Sequence, residues 1–326
     1  MKLKLANVAF LVVVLAWLAP WSVAHAQGYP SRPIQLVIPF PPGGATDIVG
    51  RLVGKKLGER LGQPVVIENK AGAGTIVGAA FVASAPADGY TLLISSGSTF
   101  TVNPALNPKL PYDPVKSFEP IGLAARVPLI LIANRDVPAN NLGQLVAAVR
   151  STPDKYVYGS FGSGTTAHFA GELMWSAIGI KLLHVPYKGS APAMSDLIGG
   201  QIPFTIDTVA ASLPQLKAGK IKAIAVTGAT RATQLPEVPT VAESGFPGFS
   251  ADSWLAVFAP RGLPADAKAR LQKALAETMA DAEIRDKLIA NGLQHAYEPA
   301  AAVAVRIEDE LPRMRAVAQR ANIRAD

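Results

Sequence analysis

Short apolar runs alternate with amphipathic stretches along most of the chain. The run Ile34–Ile38 is followed by a stretch in which Val49, Val53 and Leu57 recur every fourth residue, the spacing of one helix face. The next units keep this order, from "PVVIEN" through "IVGAAFVASA" to "YTLLI", with a turn at Asp88-Gly89. A strand–helix–strand–helix–strand order predicts an α/β fold with a mainly parallel sheet whose faces are covered by helices.

The same alternation of strands and helices recurs in the middle of the chain and again near its end, and this predicts two lobes. Strand-like "YVYGSF", "LLHVPY", "IPFTID" and "IKAIAVTG" occupy the middle of the chain, and "SWLAVFAP", one long helix over 264–292 and a last helix end it. A chain of 326 residues exceeds the usual size of a single core. We assign residues 27–124 and 247–326 to domain one and residues 125–246 to domain two. Two chain crossings between the lobes would form a hinge with a cleft beside it.

Residues 1–26 have the pattern of a secretory signal peptide. Lys2 and Lys4 precede the apolar run "VAFLVVVLAWLAPW", and the stretch ends in the small-residue pattern "AHA". We expect cleavage after Ala26 and a periplasmic location. The alternative is a retained membrane anchor, because the run approaches the length that spans a bilayer. Cleavage removes both lysines and lowers the formal net charge from +7 to +5.

Composition excludes several classes of function. The chain has no cysteine, so disulfides, thiolate metal sites and cysteine nucleophiles are absent. Lys and Arg are interleaved with Glu and Asp, as in "KKLGER", and without a basic stripe we expect no nucleic-acid partner. The scattered histidines give poor support for a metal site. The run "GAGTIVG" lacks the glycine spacing of a dinucleotide site and predicts close helix–strand packing, so we expect no cofactor.

Four loops rich in Gly, Ser and Thr follow predicted strands. They are "PFPPGGATD", "SSGSTFT", "FGSGTTAH" and "PYKGSAP", two from each lobe. Glycine lets the backbone approach a ligand, hydroxyls donate hydrogen bonds, and helix starts carry partial positive charge. Because ligands bind beyond the carboxyl ends of strands in open α/β sheets, the loops predict a shared site for a carboxylate or another small anion. The alternative is that Thr46, Ser98, Thr166 or Ser190 only caps a helix.

Catalytic patterns are incomplete. Ser163 stands between two glycines, but the outer positions do not match the nucleophile elbow G-x-S-x-G. An exported hydrolase that uses Ser163 or Thr165 with His168 and Asp207 is a second hypothesis, and a sensor that presents its solute to a signalling partner is a third. Asp207 ends a predicted strand, where it could accept a hydrogen bond from a ligand or cap the next segment. Trp254 could line the cleft or pack in the core.

Several longer stretches resemble the Bug family of extracytoplasmic solute receptors of tripartite tricarboxylate transporters, abundant in Bordetella and related bacteria. They are "YPSRPIQLVIPFPPGGATDIVGRLVGKKL", "VVIENKAGAGTIVGAAFVASAPADGYTLL", "VPYKGSAPAMSDLIGGQI", "LPQLKAGKIKAIAVTGATR" and "LPEVPTVAESGFPGF". The resemblance implies a two-lobed periplasmic-binding-protein fold of the type II-like Venus flytrap kind, with the ligand cleft between the lobes. It implies a receptor and not an enzyme, which captures a dicarboxylate, tricarboxylate, amino acid or aromatic acid and delivers it to membrane components. We expect a monomer.

The resemblance also implies which residues contact the solute. In such receptors the Pro-Pro-Gly-Gly loop holds the solute with backbone groups and ordered water, and the Gly-Ser-rich loop of the other lobe grips a carboxylate. Matched onto this sequence, the contacts are Phe40, Pro42, Gly43, Gly44, Thr46 and Asp47 on one wall, Gly162, Ser163, Gly164, Thr165, Thr166 and His168 on the other, and Ser98 and Asp207 beside them. The chain departs from the family at "GTTAHFAGELMW" and "PFTIDTV", which leaves the donors and the selecting residues there open.

Overall fold

The computed structural model describes residues 28–152 and 155–324, so the predicted signal peptide lies outside the described residues. In chain order the strands are β1 (Ile34–Ile38), β2 (Val65–Asn69), β3 (Thr91–Ser96), β4 (Phe118–Val127), β5 (Leu129–Asn134), β6 (Val157–Ser160), β7 (Leu183–Pro186), β8 (Phe204–Thr208), β9 (Ile221–Val226), β10 (Ser253–Pro260) and β11 (Gln294–Pro299). The α-helices are α1 (Ala45–Leu61), α2 (Ile76–Ala83), α3 (Asn103–Leu106), α4 (Leu142–Ser151), α5 (Thr166–Ile178), α6 (Ser190–Ile198), α7 (Val209–Lys217), α8 (Ala265–Met279), α9 (Ala282–Ala290) and α10 (Ala300–Arg320). A short 3-10 helix covers Ala73–Thr75 and a π-helix covers Ser98–Val102. None of these helices is long and apolar enough to cross a membrane.

The strands form two separate sheets. One has six strands in the order β11-β4-β10-β3-β1-β2, and the other has five in the order β7-β6-β8-β5-β9. The predicted parallel pairing is present among β2, β1 and β3 and among β7, β6 and β8. However, β10 and β5 run antiparallel to both of their neighbours. The prediction of a mainly parallel sheet is therefore wrong, because both sheets are mixed. The antiparallel strands β10 and β5 each arrive from the other sheet and enter in the opposite direction. We call the parts built on the six- and five-stranded sheets lobe one and lobe two.

The chain crosses between the lobes twice, and the two crossings lie side by side. Pro128 joins β4 to β5, and the segment between β9 and β10 makes the second crossing. Thr227 ties them together, because its N–H donates to Leu129 O at 3.0 Å and its hydroxyl donates to Ala251 O at 2.6 Å. Strand β4 continues past residue 124, where we expect the first segment of domain one to end. The division into two domains at the stated boundaries stays a prediction.

Burial in lobe one follows the predicted periodicity. Val49, Val53 and Leu57 of α1 are buried in one cluster with Leu36 and Ile38 of β1. The other face of β1 is covered by α2 and α10, which belong to a second cluster. Lobe two has a large core of its own. The continuous apolar run in β1 is thus explained by helices on both faces of its sheet.

Two elements near the end of the chain differ from the sequence prediction. The single helix predicted over 264–292 is broken into α8 and α9. The Asp281 side chain accepts the Glu283 N–H at 3.0 Å and so caps a new helix start. Strand β11, "QHAYEP", has no counterpart among the predicted strands, and it forms the edge of the six-stranded sheet beside β4. It lacks β-branched residues and ends in proline, so its sequence carries little strand signal.

The run "GAGTIVG" serves close packing, as predicted. Gly78 lies in α2, and a Cβ there would stand 2.7 Å from Lys70 O and 2.8 Å from Pro39 Cβ. Both contacts belong to segments that follow the parallel strands β1 and β2. Helix α2 therefore lies against the backbone at the carboxyl end of this sheet, which only glycine permits.

We expect Gly78→Ala to lower the free energy of unfolding by about 1–3 kcal/mol, because the added methyl meets a backbone carbonyl that cannot rotate away. Urea unfolding followed by circular dichroism measures this. Gly143→Ala in α4 is the control: the nearest atom to its added Cβ is Asn141 Oδ1 at 3.4 Å, and alanine favours the helix. An unchanged unfolding midpoint for Gly78→Ala would show that α2 shifts without cost.

Candidate ligand-binding cleft

A cleft lies between the lobes at the carboxyl ends of their parallel strands, and it leaves a cavity of about 30 Å³. Lobe one contributes the loop after β1 and the end of β3, and lobe two contributes the loops after β6 and β7 and the end of β8. The crossing strands β4 and β10 contribute the rest. The lining residues are Phe40, Pro41, Gly44, Ala45, Thr46, Ser96, Val127, Phe161, Thr166, Gly189, Ser190, Thr208, Ser253 and Leu255.

Four helices begin at this cavity. Helix α1 begins after Gly44 and α6 after Gly189, and neither start has a side-chain hydrogen bond to its first turn. Helices α5 and α7 begin after Thr165 and Thr208, whose hydroxyls accept hydrogen bonds from their own first turns. The first N–H groups of a helix have no partner inside the helix, and they carry its partial positive charge. The two glycine-capped helices therefore present such groups to the cleft from opposite lobes.

The cavity wall is uncharged and mostly apolar, with hydroxyl and backbone groups at several positions. Among the residues that the structure describes, no Lys, Arg, His, Asp or Glu lines it. Nor do the described ranges contain a group of three or more His, Cys, Asp or Glu side chains placed to hold a metal ion. Phe40 and Phe161 meet edge to face across the cleft with centroids 6.1 Å apart, which adds apolar surface. Backbone N–H and hydroxyl donors beside apolar rings suit a small organic anion. The hydroxyls come from Thr46, Ser96, Thr166, Ser190, Thr208 and Ser253.

The Pro-Pro-Gly-Gly loop contributes only part of its predicted contacts. Phe40, Gly44 and Thr46 line the cavity, whereas Pro42 and Gly43 are exposed and do not. Gly43 has φ +90°, which favours glycine, but Gly44 has φ −84° and needs no special backbone freedom. Gly44 therefore matters at this position through the space that its missing side chain leaves.

Asp47 is turned into its own lobe. It is buried, does not line the cavity, and accepts hydrogen bonds from Gly43 N–H at 3.1 Å, Arg51 Nε at 3.0 Å and Asn69 Nδ2 at 3.0 Å. Although burial acts to raise it, these hydrogen bonds and the Arg51 charge hold the pKa of Asp47 below its usual value. The predicted solute contact is thus replaced by a support for the loop, because the carboxylate is already saturated.

The Gly-Ser-rich loop of lobe two places Thr166 at the cavity, whereas the other five residues predicted on this wall do not line it. Two hydrogen bonds shape the loop behind the wall. The Thr165 hydroxyl donates to Gly162 O at 2.6 Å, and Gly164 N–H donates to His168 Nδ1 at 3.3 Å. These residues hold the start of α5 in place.

Two stacked histidine rings lie beside this loop and are hydrogen-bonded to it and to the preceding strand. His168 and His184 lie nearly parallel, with centroids 4.1 Å apart and an angle of 12° between the rings. His184 Nε2 lies 2.8 Å from Ser160 Oγ, which also accepts the Gly162 N–H at 3.1 Å. Ser160 is a residue that sequence reasoning missed, because it ends a strand without any motif.

Ser98 joins the two lobes instead of lining the cavity. Its Oγ accepts the Thr166 N–H at 2.9 Å, and both groups are buried. Close to this contact, a Cβ on Gly74 of lobe one would collide with Ser163 O of lobe two. The lobes are therefore in direct contact beside the cavity, and Ser163 belongs to that contact region.

Asp207 stands behind the wall of lobe two, at the end of β8, and is completely buried. Its Oδ1 accepts hydrogen bonds from Ser190 Oγ at 2.8 Å and Thr208 N–H at 2.7 Å, whereas Oδ2 has no partner among the described residues. Burial raises the pKa of Asp207 to about 6, against the opposing effect of these hydrogen bonds. Thr208, and not Asp207, caps the following helix. Asp207 therefore acts on the cleft through two lining residues.

Some lining residues had a sequence signal and others had none. Ser96 and Ser190 stand in two of the four predicted loops. Ser253 and Leu255 come from β10, which reaches the cleft only because the chain returns from lobe two. Trp254, between them, packs in the core against Phe100 with centroids 6.2 Å apart.

Three solved structures are similar to this chain over most of its length. An R. palustris protein with adipate is 36% identical with a TM-score of 0.87, covering 90% of this chain and 98% of its own. The periplasmic binding protein BugD is 36% identical with a TM-score of 0.86, covering 91% and 100%. MatC from Rhodopseudomonas palustris with bound malate is 32% identical with a TM-score of 0.83, covering 89% and 99%.

These likenesses confirm the predicted two-lobed periplasmic-binding-protein fold and the resemblance to the Bug proteins. Residues 49–323 match the family described as tripartite tricarboxylate transporter family receptor. This family consists of solute-binding receptors. With that match over most of its length, the chain belongs to the tripartite tricarboxylate transporter receptor family, TctC.

Proposed function

We propose that this receptor binds a small dicarboxylate in the interlobe cleft and delivers it to the membrane components of a tripartite tricarboxylate transporter. The observation that carries the proposal is that the two glycine-capped helix starts, of α1 and α6, meet from opposite lobes at a cavity with no charged side chain in its described lining. Unpaired N–H groups at helix starts bind carboxylates through charge-assisted hydrogen bonds. Donors from both lobes favour a solute with an anionic group at each end.

Two relatives support the choice of solute class. The R. palustris protein was solved with adipate and MatC with malate, and both compounds are dicarboxylates. Phe40 and Phe161 would pack against the carbon skeleton between the carboxylates. Tricarboxylates, amino acids and aromatic acids remain alternatives that the binding experiment below separates.

Solute binding would require the lobes to separate. A cavity of about 30 Å³ has room for only two or three water molecules, which is less than a dicarboxylate needs. The side-by-side crossings tied by Thr227 are suited to act as the hinge. In the closed arrangement Ser98 and Thr166 join the lobes beside the cavity.

Location and partners follow from the predicted signal peptide at residues 1–26 together with the family. We infer export to the periplasm with cleavage after Ala26, and action as a monomer. The partners would be the small carboxylate and the membrane components of the transporter, without nucleic acid or cofactor.

The hydrolase hypothesis finds little support in the geometry. A catalytic serine and histidine need a carboxylate that orients the histidine. Asp207 does not do this for His168, because its Oδ1 is held by Ser190 and Thr208 and its Oδ2 has no partner among the described residues. We therefore propose binding without turnover.

Calorimetry with a panel of malate, adipate, citrate, aspartate and glucose tests the proposal. We expect at least one dicarboxylate to bind with a dissociation constant around micromolar, equivalent to about 8 kcal/mol. The bound compound should be recovered chemically unchanged. Binding of glucose alone would refute an anion site, and a product that disappears in Ser163→Ala would restore the hydrolase.

We expect Gly44→Val to weaken solute binding more than about tenfold, or roughly 1.4 kcal/mol. A Cβ at Gly44 would stand 3.6 Å from Ser190 Oγ, across the cleft and at ordinary van der Waals distance, so the added side chain points into solute space. The melting temperature of the solute-free protein should change little. Thr46→Ala should weaken binding less, because it removes one hydroxyl and leaves the backbone N–H groups in place.

Gly43→Ala is the matched control for Gly44→Val. Its Cβ would meet nothing within 4 Å, but its φ of +90° strains alanine, so it should lower stability more than affinity. Should Gly44→Val instead bind normally and melt early, the loop would be a structural turn and not a wall of the binding site.

A further inference from the structure

Asp207 is joined to the cleft wall by direct hydrogen bonds. Ser190 and Thr208, which donate to its Oδ1, both line the cavity. Its Oδ2 is buried without a hydrogen-bond partner in the described part of the chain. An ionised carboxylate with one unpaired buried oxygen is costly, and a binding event that changes the nearby charge acts on it directly.

Nothing positively charged in the described surroundings compensates for this carboxylate. The cavity lining has no cationic side chain. The elements that pack most extensively against β8 are β5, β6, α5, α6 and α7. None of their titratable or charged side chains hydrogen-bonds to Asp207; these are Tyr158, His168, Glu172, Asp196 and Lys217. A solute carboxylate would therefore add a second negative charge beside a buried one.

We propose that Asp207 takes up one proton from solvent when the cleft binds a carboxylate solute. The proton forms an O–H bond on Oδ2, while Oδ1 keeps the hydrogen bonds from Ser190 and Thr208. Asp207 is thereby a specificity-determining residue, because a carboxylate binds together with a proton, whereas an ammonium group on the solute would leave Asp207 ionised. This inference rests on the proposed function.

The ionisation of Asp207 suits such an exchange near neutral pH. Burial raises its pKa to about 6, so the group is about nine-tenths ionised at pH 7 in the solute-free protein. A bound carboxylate raises the pKa further, since like charges disfavour ionisation. The bound state then holds more protons than the free state. Solute affinity should consequently fall as pH rises, by up to about tenfold per pH unit above pH 7.

Calorimetry with malate and adipate, in two buffers that differ in ionisation enthalpy, counts the protons taken up. At about pH 7 both carboxyls of these probes are ionised, so the probes themselves contribute little. We expect the full-length mature receptor to take up roughly 0.5–0.9 proton per solute at this pH. Affinity measured up to about pH 8.5 should show the corresponding decline.

Asp207→Asn should abolish the proton uptake and make the affinity independent of pH over this range. Asp196→Asn is the matched control and should keep the uptake. It removes a carboxylate from α6 in the same lobe, where Asp196 accepts the Tyr187 hydroxyl at 2.8 Å and does not line the cavity. Infrared spectra of the unmutated receptor should gain the C=O band of a protonated carboxyl on solute addition, which needs no variant.

The outcomes separate this inference from the proposed function. Dicarboxylate binding without proton uptake would overturn the inference alone, and so would uptake that persists in Asp207→Asn. Tighter binding of aspartate than malate without uptake would show that Asp207 pairs with an ammonium group instead. Absence of binding by any carboxylate would overturn the proposed function and the inference together.

Discussion

The first turns of α1 and α6 contain N–H groups that a helix cannot satisfy by itself, and both helices begin after a glycine instead of a capping hydroxyl or carboxylate. Each helix follows the carboxyl end of a strand, so the fold gathers these groups at one edge of each sheet. The side-by-side crossings bring the two edges face to face. These N–H groups require an acceptor from outside their own helices, and the cleft is the place where such an acceptor can bind. A carboxylate is a suitable acceptor.

The absence of charged side chains from the described lining affects selectivity as well as affinity. A guanidinium on a long, flexible side chain can move to reach the carboxylates of solutes of different sizes. The positions of N–H groups at helix starts and of hydroxyls on short side chains are instead fixed by the fold. Under the proposed function, solutes would be selected by whether their carboxylates reach both Gly44 and Gly189. Asp207 lies behind this wall, and the proton uptake proposed for it would make the binding free energy depend on pH.

The fold was predictable where the signal is local. Four-residue spacing predicted α1, and apolar runs between turn residues predicted the parallel strands, because both patterns depend on burial of one face. The break between α8 and α9 depends on one capping carboxylate, Asp281, inside an otherwise helical pattern. The antiparallel entry of β5 and β10 depends on the chain path between lobes, which no local pattern encodes.

By itself the sequence determined the alternation of strands and helices, the resemblance to a receptor family, and the loops that reach the cleft, including Phe40, Thr46 and Thr166. Only the tertiary structure decided which side of each loop faces the cleft. Asn69 draws Asp47 away from the cleft, and the start of α5 draws Ser98 into the contact between lobes. These partners lie far away in sequence, so the direction of each side chain is set by contacts that exist only in the folded protein: within lobe one for Asp47, and between the lobes for Ser98.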